Sequence, residues 1–297
     1  MDTPANASHF YFIKAWFDGQ TYNGSQYQPG LRTVDGAIVD ALRSLGYLPG
    51  GAPHNDYFKV AGRTDKGVSA FGAVYFIATL APLHPCQVNE WFKQHGHEIM
   101  IRSVATLDGP VNPRRANFRV YKYFHVLAGD RINVDTLRDG LAALLGDHDF
   151  KGFTKARVNP AITTRRTLDV AAVDLNADGD MLVFTFKSQG FLWEQVRRMV
   201  AFLLEHHVDI DIERQVQDIL DSSIQPNLEP APPESLILWD VDYGDACTWH
   251  DLDNCETQFA TAMKKRYLHE RTKAAIIGAV FAETKQFLKE KENKEIS

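Results

Sequence analysis

A chain of 297 residues, 44% of them hydrophobic and 24% charged, has ordinary globular usage and room for one large domain or two smaller ones, which excludes a disordered or fibrous protein. No run approaches the roughly 18 apolar residues of a spanning helix, and Met1 to His9 lacks the basic start and apolar core of a secretory signal, so a cytoplasmic protein without membrane insertion is expected. The net charge of −6 does not exclude a polyanionic partner, because residues 201 to 256 hold 1 basic against 14 acidic residues whereas residues 110 to 200 hold 14 basic against 10 acidic.

Residues Phe10 to Phe17 alternate loosely and close at Asp18-Gly19, a first strand and its turn. Tyr22 to Gly30 is loop-like. Thr33 can then cap a helix whose apolar positions Ile38, Ala41, Leu42 and Leu45 share a face, with Gly46 as its stop. Phe58 to Ala61 is a short apolar strand that runs into Gly62-Arg63-Thr64-Asp65-Lys66-Gly67, and Ala73 to Ala78 resumes as strand, so the polar insert sits on a loop. Val88 to Gln94 suits a helix and Ile99 to Leu107 a strand. Gly109-Pro110 and Pro113 mark a break between this first α+β half, residues 8 to 110, and a second, residues 111 to 245.

In the second half, Arg119 to Leu127 is a strand with Tyr121, Tyr123 and His125 on one face and Lys122, Phe124 and Val126 on the other. Val134 to Leu145 is an amphipathic helix, followed by a polar loop holding Lys151, Lys155, Arg157, Arg165 and Arg166. Strands at Leu168 to Leu175 and Met181 to Lys187 are joined by the turn Asn176-Ala177-Asp178-Gly179. Gly190 opens an apolar helical stretch to about Glu205, Ile212 to Leu220 is another helix, and Leu236 to Tyr243 returns to strand after a Pro-rich loop. Residues 257 to 297 have the composition of a lysine-rich surface helix. Strand, helix and further strands recur in both halves, which suggests two related units with a site between them.

The three cysteines, Cys86, Cys247 and Cys255, include no CxxC pair, and the pairs His95/His97 and His206/His207 lack ligand-rich neighbours, so neither a disulfide framework nor a metal site is expected. No Walker or dinucleotide glycine pattern occurs, and no cofactor is expected. A carboxylate between Arg63 and Lys66, flanked by glycines that permit close approach, suits an acidic group working beside a polyanion, its cationic neighbours favouring the ionised form. Standing alone, Asp65 would read as part of a surface ion pair, Tyr121 as core packing and Arg197 as a helix-surface arginine. A glycosidase would need a second positioned carboxylate, and none stands out.

The longer string Gly62-Arg63-Thr64-Asp65-Lys66-Gly67-Val68-Ser69-Ala70 resembles the catalytic signature of TruA-type tRNA pseudouridine synthases, in the form of archaeal and eukaryotic members. Tyr22 to Gln28 and Thr33-Val34-Asp35-Gly36 precede it in the family's order. Arg119-Val120-Tyr121-Lys122-Tyr123, Gly146-Asp147-His148-Asp149-Phe150, Gly190-Phe191-Leu192, Val196-Arg197-Arg198-Met199-Val200 and the stretch from Pro232 to Tyr243 follow it. The resemblance covers residues 10 to 245, and the tail matches no family motif. Lys66 and Ser69 stand where bacterial members carry Ala and His. Trp193-Glu194-Gln195 replaces the usual polar and methionine run, so no role is carried over within 192 to 195.

The resemblance implies an α+β pseudouridine-synthase fold, two related halves forming one extended, mixed, mainly antiparallel sheet with a central cleft. It implies isomerisation of uridine to pseudouridine, without a cofactor, at three adjacent uridines on the 3′ side of the tRNA anticodon stem and loop, by a homodimer. Asp65 is then the essential carboxylate, acting either by attack on C1′ or by removal of a C2′ proton, and Arg197 pairs with it. Tyr121 stacks on the extruded base, with Tyr123 as the competing assignment. Arg63 joins Asp65 and Arg197 in the catalytic set, meeting the extruded nucleotide or its phosphate, Lys66 is a substrate-binding residue, and Arg114, Arg115, Lys122, Lys155, Arg165 and Arg166 are candidate phosphate contacts. A non-catalytic RNA-binding relative of the same fold is the second reading, against which stands the presence of Asp65, Tyr121 and Arg197 together.

Overall fold

The computed structural model describes residues 7–49, 57–129, 131–155, 163–222 and 226–296, so Arg157 lies outside the described residues. The chain divides into two compact units, one ending at His250 and the other beginning at Asp251. Among the described residues no helix is long and apolar enough to cross a membrane.

In the first unit, β1 (His9–Phe17) is laid between β3 (Ser69–Thr79) and β4 (Ile99–Leu107), antiparallel to both, with the short β2 (Phe58–Val60) pairing against the far half of β3. Helix α1 (Val34–Ser44) starts where Thr33 accepts a hydrogen bond from the Gly36 amide at 3.2 Å, which satisfies one of the free donors of the first turn. Ile38, Ala41 and Leu42 make its fully buried stripe, and Gly46, at φ +77°, turns the chain out of the helix. Helix α2 (Pro85–Gln94) buries Val88 and Phe92 in the same way.

The second half adds β5 (Phe118–Val126), β6 (Gly146–Asp149), β7 (Arg165–Leu175), β8 (Met181–Ser188) and β9 (Leu236–Asp242) to the same sheet, in the order β4-β1-β3-β9-β5-β8-β7-β6. Helices α3 (Val134–Ala143), α4 (Gln195–Glu205) and α5 (Ile212–Ser222) share one apolar core with it, including Phe150, Phe153, Phe184, Phe186, Met199 and Leu203. The sheet is therefore mixed and mainly antiparallel, as expected. A parallel pairing, Ser69 to Ile237 and Ala70 to Leu238, joins the two halves. That junction is tight enough that a Cβ on Gly72 would lie 2.7 Å from the Trp239 carbonyl oxygen, so only glycine fits.

Several boundaries differ from the sequence reading, β3 among them, which begins at Ser69 rather than Ala73. Helix α4 begins at Gln195 rather than near Gly190, because Glu194 takes the left-handed conformation (φ 61°) and the chain from Gly190 to Glu194 stays a loop. β6 was not anticipated. β7 starts at Arg165, paired with Asp149, so Arg165 and Arg166 lie on a strand rather than in a polar loop.

The second unit is one 44-residue helix, α6 (Asp253–Ile296). Its described side chains are largely exposed, Ile276, Ile277, Val280 and Phe281 among them.

Candidate active site

The loop carrying Asp65 is held from behind by two segments. Ser25 and Thr64 exchange hydrogen bonds, the Thr64 amide donating to Ser25 Oγ at 2.9 Å and the Ser25 amide to the Thr64 carbonyl at 3.1 Å. A Cβ on Gly19 would lie 2.1 Å from the Val68 carbonyl oxygen, so the turn after β1 presses directly on the loop's far end. Gly67, at φ +87°, lets the chain close a turn in which the Val68 amide donates to the Asp65 carbonyl at 3.1 Å. The carboxylate is thereby projected from a rigid base.

Behind that base lies a second carboxylate. Asp35, on the first turn of α1, is 5% exposed and its Oδ1 has no hydrogen-bond partner among the described residues. Burial pushes its carboxyl up to about 7, against the pull of the Tyr27 backbone and of Arg63. Because 7 exceeds the ordinary 3.8, the folded state keeps a proton that the unfolded chain releases between those values. The resulting contribution to stability is complete below pH 3.8 and is lost as pH rises through 7. Asp35→Asn cannot ionise and should flatten this dependence, removing a stability loss on the order of 2–4 kcal/mol between acid and alkaline pH. Urea midpoints at the two pH values read the difference directly. Equal pH dependence in both proteins would show that Asp35 is not the titrating group.

Across the cleft, the second half supplies the groups that meet Asp65. Arg197, 9% exposed on the first turn of α4, places Nη1 3.6 Å from Asp65 Oδ2 while its Nε donates to the Ala231 carbonyl at 2.6 Å. The guanidinium fork is thus fixed at one prong and faces the carboxylate with the other. Trp193 donates its indole N–H to Asp65 Oδ1 at 3.1 Å. Burial raises the Asp65 carboxyl above the ordinary carboxylate range; Arg197 opposes this most, Glu194 adds to it, and the Trp193 bond and Lys155 lower it.

The two tyrosines share a face of β5 and differ in position along it, Tyr121 lining the cleft and Tyr123 lying two residues on, within the core. Tyr121 faces the cleft, its ring edge-on to Phe191 at 5.2 Å, and burial pushes its hydroxyl up to about 12, Arg119 lowering it and Asp65 raising it. Tyr123 is 2% exposed and belongs to the core beside Phe184. Arg119 shares the cleft face with Tyr121. It is 8% exposed and donates to the carbonyls of Gln189, of Ala61 at 2.7 Å and of Arg114 at 3.1 Å.

Most of the other expected contacts border the same cleft, whose volume is about 1460 Å³, larger than a small-molecule pocket. Its lining holds eight cationic side chains against three carboxylates, so it is locally basic within an acidic chain. Arg63, Lys66, Arg114 and Arg115 line it from one side and Arg165 and Arg166 from another. Arg165 is bound to Asp147 at 2.7 Å. Lys155 stands beside Trp193, its ammonium 4.5 Å over the indole. Lys122 is not among the residues lining the cleft: its ammonium lies 4.3 Å over the Trp239 ring, on the face of β5 opposite Tyr121. Two residues at the centre were given no role from sequence. Arg119 could have been found from its alternation with Tyr121, whereas nothing in the sequence points Trp193 at Asp65.

Residues 141–244 match the family model described as tRNA pseudouridine synthase. The tRNA pseudouridine synthase A of Archaeoglobus fulgidus is 34% identical over 240 residues, covering 80% of this chain and 84% of that one. That of Thermococcus onnurineus is 31% identical over 268 residues, covering 90% and 96%. Among solved structures, a chain of a Cbf5-Nop10-Gar1 complex overlaps 64% of this chain and 46% of its own at 12% identity and TM-score 0.34. Identity of a third across four-fifths of the chain places it in the tRNA pseudouridine synthase A family, isomerases that convert uridine to pseudouridine in tRNA.

Proposed function

We propose that this enzyme acts on uridines of the tRNA anticodon stem and loop, with Asp65 as its essential carboxylate, Arg197 as the group that holds it and Tyr121 as the platform for the extruded base. The observation that carries the reading is the meeting of Asp65 and Arg197 at 3.6 Å in a basic cleft bordered by Tyr121. Residues 8–110 and 111–245 act as two related halves, one bringing the carboxylate and the other its partners. The enzyme works in the cytoplasm as a homodimer, in keeping with the family resemblance.

Isomerisation breaks the bond from ribose C1′ to uracil N1, turns the base and forms a bond from C1′ to C5. The C5 hydrogen leaves as a proton and N1 gains one, so atoms and electrons balance without a redox partner. An ionised Asp65 can promote the break by attacking C1′ or by taking a C2′ proton, and the cations around it favour that ionised form. Tyr121, with its hydroxyl pushed up to about 12, stays protonated near neutral pH and can offer a ring face and a donor. Arg63, Lys66, Arg114, Arg115, Arg165 and Arg166 present positive charge to the backbone of an RNA that must lend one base to the cleft.

Unmodified tRNA transcripts incubated with the protein, then treated with carbodiimide and copied by reverse transcriptase, should show new stops on the 3′ side of the anticodon arm. Stops confined to another arm would reject that site while leaving the reaction itself in place.

A further inference from the structure

Asp65 has two oxygens, and in the RNA-free protein both are engaged, by partners of opposite character. Arg197, which faces Oδ2, is buried and pinned to the Ala231 carbonyl. Trp193, which donates to Oδ1, is 51% exposed. A tryptophan that served packing alone would be far more deeply covered. The sugar needs a carboxylate oxygen, and Trp193 is the partner able to leave.

The chain is built to present this ring. The Trp193 carbonyl accepts from Thr154 Oγ1 at 2.9 Å and from the Lys155 amide at 3.4 Å. Glu194 follows at φ 61°, the only non-glycine residue with positive φ among the described residues, a conformation that side chains disfavour. Its carboxylate is tied to Arg198 at 2.7 Å and lies 3.7 Å from Lys155. The same turn buries Leu192 and Gln195, whose Oε1 accepts from the Leu192 amide at 2.8 Å, and leaves the indole between them exposed, with strain and clamping on the residue next to it. Trp193 and Asp65 also stand between the main cleft and a smaller hollow of about 620 Å³, bordered by Gln20, Gly67 and Pro233. That hollow gives a displaced ring somewhere to go.

We propose that Trp193 is a cap on Asp65 that substrate must displace: its indole N–H occupies Oδ1 in the free enzyme and gives it up when the extruded uridine enters. The cap is a positioning device for the reaction assigned above and rests on that assignment. Of the other charged groups, Lys155, Glu194 and Arg197 act on Asp65 from across the cleft, Arg63 and Lys66 line the cleft from its own loop and Glu234 borders the hollow; the Tyr121 hydroxyl also senses the carboxylate. None is altered by Trp193→Phe, which keeps a ring and removes the donor.

In Trp193→Phe the acid limb of kcat/KM, which reports the free enzyme, should move to higher pH, whereas the acid limb of kcat, which reports the complex, should keep its place. KM should fall by about two- to tenfold, more than any change in kcat, because a hydrogen bond no longer has to be given up. If both limbs move together the bond persists in the complex, and if neither moves the ring does not bear on Asp65; either result overturns the proposal. A second measurement does not depend on turnover. The indole N–H proton resonance that is absent from Trp193→Phe should shift in the free protein on Asp65→Ala and, in the unaltered protein, on adding tRNA transcript. A resonance unmoved by tRNA that is bound would reject the cap whether or not the enzyme turns over, and turnover by the unaltered protein separately tests the assigned reaction.

Discussion

Asp65→Ala should abolish pseudouridine formation, lowering the rate by about a thousandfold or more, while tRNA binding changes by only a few-fold. The difference follows from where the charges lie. Eight cationic side chains border the cleft, and a polyanion is held by such charges, so removing one carboxylate from among them does not weaken its hold. Turnover has no comparable reserve: within reach of Arg197 and Tyr121 the cleft's other carboxylates are differently engaged, Glu194 with Arg198 and Asp147 with Arg165. Stability should hold or rise slightly, because burial already raises the Asp65 carboxyl and its ionised form is held at a cost. Nucleoside mass spectrometry of treated tRNA, beside a filter-binding titration, separates the two quantities. Retained turnover in this variant would remove Asp65 from the chemistry.

Arg119→Met should have the largest effect on stability. The side chain ties together three segments that border the cleft, through the carbonyls of Ala61, Arg114 and Gln189. Ala61 immediately precedes the Asp65 loop, and Gln189 immediately precedes the loop that carries Trp193. Methionine fills much of the volume but leaves these carbonyls without their donor, a loss of about 3–5 kcal/mol for a buried charged donor with several partners. Turnover should drop as well, since a misplaced loop costs alignment between Asp65 and Arg197. Arg119→Lys keeps the charge but not the planar fork, and should recover only part of either loss. Urea midpoints for the two variants test this; a midpoint equivalent to less than about 1 kcal/mol from the unaltered protein would mean that the segments are held by other contacts.

The features that were legible in the sequence are those set by local chemistry. Thr33, the apolar stripe of α1 and Gly46 announce a helix because a cap, a face and a stop act within a few residues. The Asp65 insert reads as a loop because glycines and charges interrupt two apolar strands. The alternation of β5 also held: the same period that turns Tyr121 to the cleft turns Lys122 to the other face, over Trp239.

What was missed depends on distant segments. The late start of α4 rests on a left-handed glutamate, a conformation that composition argues against and that Arg198, one turn on, and Lys155 and the Thr154 contact, from a distant segment, stabilise. β6 is a four-residue strand that exists because β7 runs beside it. The meeting of Trp193 with Asp65 joins residues 128 apart in sequence. No periodicity reaches that far, and only the fold brings the indole to the carboxylate.

The central claim is tested most directly by incubating the full chain with a tRNA transcript tritiated at uridine C5 and following tritium released to water. Forming the C1′ to C5 bond expels that hydrogen, so the account predicts release that rises with time, one tritium for each pseudouridine later counted in the digested RNA. Stable binding of the tRNA with no release of tritium would contradict it.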